Sequence, residues 1–367
     1  MTNQWVKTMH RRRFLSTLGH ASLLASGAAG LKLPAHAAEP RRRILIGQIG
    51  TGHAHADGKL GAIRRSADFE LVGVVEPDER LRRAAAARKD YQGVPWLTEE
   101  ALLNTKGLRA VAIETEVKDL LPAGARAVTA GMHLHLDKPA GESLPQFRRL
   151  LDDATHRGLT VQMGFQFRYN PAFQFCFRAA REGWLGKVFS VETVIGKAIG
   201  AGERKKLLPY RGGTMFELGG HVIDAVVTLL GRPQKITAHA RHSGAFADDL
   251  LDNQLATLDY AEAVVTVRSS LVEVAGNVRR QFVVCGDSGT VDIRPLEPPA
   301  LRLALAAPRG EFKQGYQDVT MPVLPRYEAD FADLAQVIRG EKSLAWTPAH
   351  DLAVQETILR ASGMPVE

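Results

Sequence analysis

Apolar and polar positions divide the chain downstream of Arg43 into two regions of different rhythm. From Arg43 to about Gly164, short apolar runs alternate with helical patterns. Strands are expected at 44–49, 70–76, 109–114, 132–137 and 159–164, with helices between them. The Ala- and Arg-rich stretch from Asp78 to Lys89 is one such helix. Alternation of that kind predicts a parallel, doubly wound α/β sheet. From Lys187 onward the rhythm changes. Val188 to Ile195, Lys235 to Arg241, Gln254 to Tyr260, Ala263 to Leu271 and Gln281 to Cys285 run over strand lengths. They predict a second α+β region with a large, mostly antiparallel open sheet. One prominent helix, 214–230, is closed by Gly231 and Pro233. Helices at about 326–340 and 348–361 finish the chain. About 330 residues exceed one ordinary core, so two domains are expected, 38–164 and 165–325, with 326–367 packing back on them.

Charge changes the picture at the amino terminus. His10-Arg11-Arg12-Arg13-Phe14-Leu15-Ser16 resembles a twin-arginine export signal, an arginine pair followed by a large apolar residue and Leu. A glycine-interrupted apolar stretch follows, too short for a membrane span, and Ala35-His36-Ala37 offers a small-x-small cleavage site. Residues 1–37 are therefore expected to be an export address cleaved near Ala37. The expected destination is the periplasm, with the twin-arginine machinery as a partner and no stable membrane anchor. Five of the 47 Lys and Arg residues lie in this segment with no acid, so its removal takes the net charge from +7 to +2. The basic balance is thus no nucleic-acid footprint. Cys176 and Cys285 are too few for a disulfide framework or a Cys-based zinc site, and buried free thiols are expected.

The candidate chemistry begins at Gly50-Thr51-Gly52, directly behind the apolar run Ile44-Leu45-Ile46. A strand ending in Gly-x-Gly and opening a helix presents backbone N–H groups to a pyrophosphate. That is the phosphate turn of a Rossmann dinucleotide-binding domain. His53 follows the turn, and the third glycine of the pattern is replaced by His55. A second apolar run ends on Glu76, 26 positions after Gly50, where a carboxylate accepts the ribose hydroxyls. A free carboxylate there repels a 2′-phosphate, so NAD is expected rather than NADP.

The helix at 214–230 carries Glu217, His221 and Asp224 among apolar residues and glycines. Their spacing of four and three puts all three on one face of a regular helix, costly unless they are paired or line a cleft. His133-Leu134-His135-Leu136-Asp137-Lys138-Pro139 lies at the carboxyl end of a candidate parallel strand, where open α/β sheets bind ligands. Lys138 could donate there to a substrate hydroxyl. His133, His135 and Asp137 alternate on one strand face, but without an identifiable further ligand no metal site is expected.

Together these residues resemble the glucose–fructose oxidoreductase / inositol dehydrogenase (Gfo/Idh/MocA) family over nearly the whole chain downstream of the address. Gly50-Thr51-Gly52 matches the cofactor turn, Asp137-Lys138-Pro139 its Glu-Lys-Pro signature with Asp for Glu, and Phe167-Arg168-Tyr169-Asn170-Pro171 its crossover. The resemblance implies that His221 takes the hydroxyl proton as a hydride leaves the carbon, and that Lys138 bonds the same hydroxyl. It implies substrate contacts from Glu217, Asp224 and Arg168, and a cofactor site of Gly50, Thr51, Gly52, His53, His55, Glu76, Thr115 and Asp137. It also implies a carbohydrate or polyol substrate and a homo-oligomer. One segment departs from the pattern: where the family has Thr-Pro-Asn, this chain has Thr115-Glu116-Val117. The dinucleotide would be gripped differently there. Two rival readings are a redox-neutral lyase, epimerase or glycosidase acting through transient oxidation by bound NAD, and a non-catalytic sugar-binding protein. The loop 196–209, with Arg204-Lys205-Lys206, is a candidate to close over an anionic or polyhydroxylated substrate.

Overall fold

The computed structural model describes residues 42–367, which form one compact unit. The twin-arginine motif and the Ala35–Ala37 site lie outside the described residues. Six strands build the first sheet: β1 (Ile44–Ile49), β2 (Phe69–Val75), β3 (Trp96–Leu97), β4 (Leu108–Ile113), β5 (His133–Leu136) and β6 (Val161–Met163). All pair in parallel in the order β3-β2-β1-β4-β5-β6. This is the doubly wound Rossmann order, with its switch point between β1 and β4. These strands are short and apolar because helices cover both faces.

Eight strands form the second sheet: β7 (Val188–Gly196), β8 (Lys235–Arg241), β9 (Asn253–Asp259), β10 (Val264–Ser270), β11 (Gln281–Gly286), β12 (Gly289–Leu296), β13 (Pro299–Leu305) and β14 (Gly315–Val319). Their order is β14-β13-β12-β11-β7-β10-β9-β8. Every neighbour pair is antiparallel except β7 with β10, which is parallel. Strands β12 to β14 extend the sheet beyond the five runs expected from the sequence.

The helix Pro171–Arg181 leads from one sheet to the other, its first turn capped by the Asn170 side chain. The long helix is less regular than its sequence suggests. A π-helical turn at Met215–Gly219 runs into the α-helix Gly220–Leu230, which ends at Gly231 with φ +74°. The loop expected at 196–209 contains the helix Ala201–Leu207. One apolar core runs from Val111, Leu134 and Phe147 to Phe173, Val191 and Phe282, so the two sheets share an interior. Cys176 is buried, Cys285 half-buried, and both are free thiols. Among the described residues, no helix is long and apolar enough to cross a membrane.

Candidate active site

The turn after β1 is built on two glycines. Gly50 has φ +89°, and a Cβ there would lie 2.5 Å from the Thr115 backbone nitrogen. No side chain fits that position. At Gly52 a Cβ would crowd the Glu116 side chain at 2.9 Å. Two N–H groups of the turn are occupied: Thr51 donates to Glu76 Oε2 at 2.8 Å and His53 to the Glu114 carbonyl at 3.0 Å. Among the described residues, the N–H groups of Gly52 and Ala54 make no bond within the chain. Both residues line a cleft of about 870 Å³, with Thr51, His53, Glu116 and Lys118. Two free donors at the start of the helix Ala56–Arg65 suit an anionic diphosphate, and the cleft has the size of a cofactor site.

Several expected cofactor residues sit differently from the sequence reading. Glu76 is not a free carboxylate. Its Oε2 accepts from the Thr51 N–H and hydroxyl, and its Oε1 from Asp78 N–H at 3.0 Å. Thr115 lies behind Gly50 and donates its hydroxyl to the Glu116 carbonyl, outside the cleft lining. Asp137 is wholly buried and does not reach the cleft. The loop lysines Lys205 and Lys206 face this cleft, because Arg204 beside them is pinned to Asp248 and Asp252.

Behind His53, Lys138 reaches from the end of the first sheet to the helical segment that carries His221. His53 lines the cleft, and its Nε2 lies 3.0 Å from the Lys138 carbonyl. Lys138 is 1% exposed, and its Nζ donates to the Glu217 carbonyl at 2.7 Å, with Glu217 Oε1 at 3.8 Å. Burial pushes the Lys138 ammonium below its ordinary range, against the pull of Glu217. Burial works against the Glu217 carboxylate too, but Lys138, with Lys197, His55 and His53, holds it below its ordinary range. His221 is 2% exposed between Phe165 and Phe167, and its Nδ1 has no hydrogen-bond partner. Burial, and then Lys138, hold its imidazole well below its ordinary range, so it is neutral near pH 7 with a lone pair to offer.

The acid–imidazole–acid stripe does not stay together. Asp224 turns to Arg168, which binds it through Nε at 3.1 Å and Nη2 at 2.6 Å. The same guanidinium holds Asp351 at 2.5 Å. All three are buried, and Arg168 stacks over Phe165 and Trp346. Arg168 and Asp224 are thus spent on each other behind the site.

Sequence reading missed a second set of residues beneath the turn. Lys59, fully buried, lies 2.8 Å from Asp137 Oδ2 and 3.0 Å from Glu114 Oε1. Asp137 also receives His53 Nδ1 at 2.7 Å, His55 Nδ1 at 3.2 Å and the Lys138 N–H at 2.6 Å. Burial alone would raise its carboxyl, but His53, Lys59 and His55 hold it well below the usual range. Burial keeps Glu114 well above that range, so the pair's proton sits on Glu114. His133 and His135 do not join Asp137. His133 accepts from Thr160 N–H, and His135 bonds Gln162 at 2.8 Å.

A parallel sheet in this order, with a glycine turn, free N–H groups and a cleft at its carboxyl ends, defines a dinucleotide-binding domain. The profile described as "Oxidoreductase family, NAD-binding Rossmann fold" matches residues 44–165. The profile of the GFO/IDH/MocA C-terminal domain matches 173–292. The chain belongs to the Gfo/Idh/MocA family of oxidoreductases. It is 28% identical to the uncharacterized oxidoreductase YhhX of Escherichia coli, over 52% of this chain and about half (54%) of that protein. It is 26% identical to inositol 2-dehydrogenase 4 of Saccharopolyspora erythraea, over 67% of this chain and 68% of that one. The crystal structure of GenD2 from gentamicin A biosynthesis, in complex with NAD, superposes with TM-score 0.70. That match covers 88% of this chain and 95% of the other at 22% identity, a likeness of fold.

Proposed function

We propose that this protein is an exported oxidoreductase that exchanges hydride between a CH–OH carbon of a sugar, polyol or sugar derivative and NAD. The observation that carries the reading is the bond from Lys138 Nζ to the carbonyl of Glu217, four residues before the buried, neutral His221 on the same helical segment. The free N–H groups of Gly52 and Ala54 would hold the diphosphate, and the remaining lone pair of Glu76 Oε1 a ribose hydroxyl. The fixed negative charge of Glu76 favours NAD over NADP. The nicotinamide ring, when bound, supplies the hydride acceptor. His221 takes the hydroxyl proton, since its lone pair is available near neutral pH. Lys138 bonds the same oxygen and is held in place by the Glu217 carbonyl. Glu217, 19% exposed, offers its carboxylate to further substrate hydroxyls. Arg168 and Asp224 contribute by fixing the helix that carries His221, not by touching substrate.

The polyol class is supported by the likeness to an inositol dehydrogenase. Export, and with it a periplasmic location, rests on the Arg11-Arg12-Arg13-Phe14-Leu15 motif. A homo-oligomer is proposed because the outer face of the second sheet carries the exposed apolar residues Leu255 and Val264. The test is reduction of NAD by a polyol and glycoside panel, with the wild type and His221→Asn compared. The variant should bind NAD and lose turnover by about 10²-fold or more. Unchanged turnover would remove His221 from the mechanism.

A further inference from the structure

His53, His55 and Asp137 bring their ligand atoms within 4.8 Å of one another, the spacing of a cation site. A cation already stands there. The Lys59 ammonium lies 2.8 Å from Asp137 Oδ2, and Asp137 and Glu114 raise it above its ordinary range despite its burial. A metal ion on that oxygen would meet the ammonium at contact distance. The cluster is a hydrogen-bonded one, and its use has to be sought in its histidines.

His55 stands where the turn's pattern has a glycine. Its Nδ1 is 3.2 Å from both oxygens of Asp137, so Nδ1 carries the hydrogen and Nε2 the lone pair. One side of the ring faces His221, with centroids 5.8 Å apart, and Tyr327 packs at the same distance. Tyr327 is held at φ +70°, a conformation that costs a non-glycine residue about 1 kcal/mol or more. Its ring fills the space that a Cβ on Gly58 would need. The placement of Tyr327 against His55 is therefore enforced from both sides. His55 keeps 15% of its side chain exposed, whereas His221 is walled in by Phe165 and Phe167. A proton taken up by His221 finds no partner at Nδ1, and only 2% of the residue meets solvent.

We propose that His55, held by Asp137, is the proton outlet of this site. It receives from His221 the proton abstracted from the substrate hydroxyl and delivers it to solvent. The proposal rests on the reading of His221 as the base. The balance is simple: the substrate O–H and C–H bonds break, the hydride goes to the nicotinamide of the dinucleotide, and C=O forms. The proton moves from His221 to Nε2 of His55, directly or through one water, and then to bulk water. Asp137 is the positioning residue that fixes the tautomer. The charged or titratable groups around His55 are Asp137, Lys138, His53, Lys59, His135, Glu217, His221 and Tyr327. Burial pushes its imidazole down to about 4, which leaves it neutral between turnovers and quick to release a proton it receives.

The test has two arms. In the first, ¹⁵N-histidine spectra of the wild-type protein with NAD, without substrate, should show His55 as the Nδ1–H tautomer near neutral pH. Asp137→Asn should disturb that tautomer. An Nε2–H tautomer, or a stoichiometric divalent metal in the purified protein, overturns the proposal. In the second arm, with myo-inositol and methyl β-D-glucopyranoside as probes, His55→Gln should lower kcat by about tenfold or more. KM and NAD binding should hold within about twofold, and added imidazole should restore part of the rate. Unchanged kcat, or a loss that imidazole does not relieve, overturns it. A wild type inactive on both probes counts against the proposed substrate class, and the spectra then decide on the dyad alone.

Discussion

Lys138, at the end of β5 in the first sheet, donates its ammonium to the Glu217 carbonyl of the long helix at 2.7 Å. The bond reaches a π-helical turn, Met215–Gly219, where wider spacing leaves main-chain groups open to outside donors. It ties the residue whose carbonyl meets His53 of the turn to the helix that carries His221. The two candidate catalytic side chains are held by one structure, although one follows β5 and the other lies on the helix Gly220–Leu230.

Removing that ammonium should separate chemistry from folding. Lys138→Met is expected to lower kcat by about 10²-fold while the protein stays folded and binds nucleotide. The variant removes a charge that burial disfavours but leaves the partly exposed Glu217 carboxylate without its partner, so a lowered melting temperature with the fold kept is expected. Steady-state kinetics beside a thermal melt would check this, and an unchanged kcat would take Lys138 out of the reaction.

The pH profile should carry the mark of burial. His221 must be unprotonated to accept a proton, so oxidation is active above its pKa and lost on acidification through it. Because burial holds that pKa well below 6.5, the rate should stay level as pH falls through the ordinary imidazole range. The acid limb should appear only below it. Lys138 must keep its proton to donate, and its lowered pKa should bring the alkaline limb in earlier than an exposed lysine would. Rate measurements across pH test both limbs, and an acid limb centred on the ordinary histidine value would contradict the account.

Arg168 tests the division between site and support. Arg168→Met strands two buried carboxylates, Asp224 and Asp351, and burial already raises the Asp351 carboxyl to about 6. Breaking a buried pair this way is expected to cost about 3–5 kcal/mol, read as a large drop in the denaturation midpoint. Per folded molecule, KM should change little. A variant of wild-type stability with a sharply raised KM would show a substrate contact instead.

The parts of this molecule legible in its sequence are those whose causes are local. Gly50 and Gly52 mark a turn that a side chain would block, and the strand runs of the first sheet are apolar because both faces are covered. The strand-end position of Lys138 and the apolar helix around His221 marked them as candidates, and the family resemblance supplied the roles proposed for them. Partners from distant segments were not legible. Nothing near Asp224 in sequence announces Arg168, 56 residues before it, or Asp351, far after it. The regular spacing of Glu217, His221 and Asp224 promised one shared face, but the π-turn and the pull of Arg168 divided it. Lys59 left one usable signal: it falls among Ala56, Leu60 and Ile63 on the buried stripe of its helix, where a lysine needs an acid. The strands β12 to β14 escaped notice because Pro295, Pro298 and Pro299 interrupt them and β14 is largely exposed.

The central claim is that this fold holds a nicotinamide dinucleotide for use by Lys138 and His221. The most direct measurement is to denature the purified protein, saturated with NAD(H) and NADP(H) in competition and desalted, and to identify the released nucleotide by mass spectrometry. The account predicts stoichiometric NAD(H), held through Gly52, Ala54 and Glu76. A protein that releases neither dinucleotide, and binds neither on titration, would contradict it.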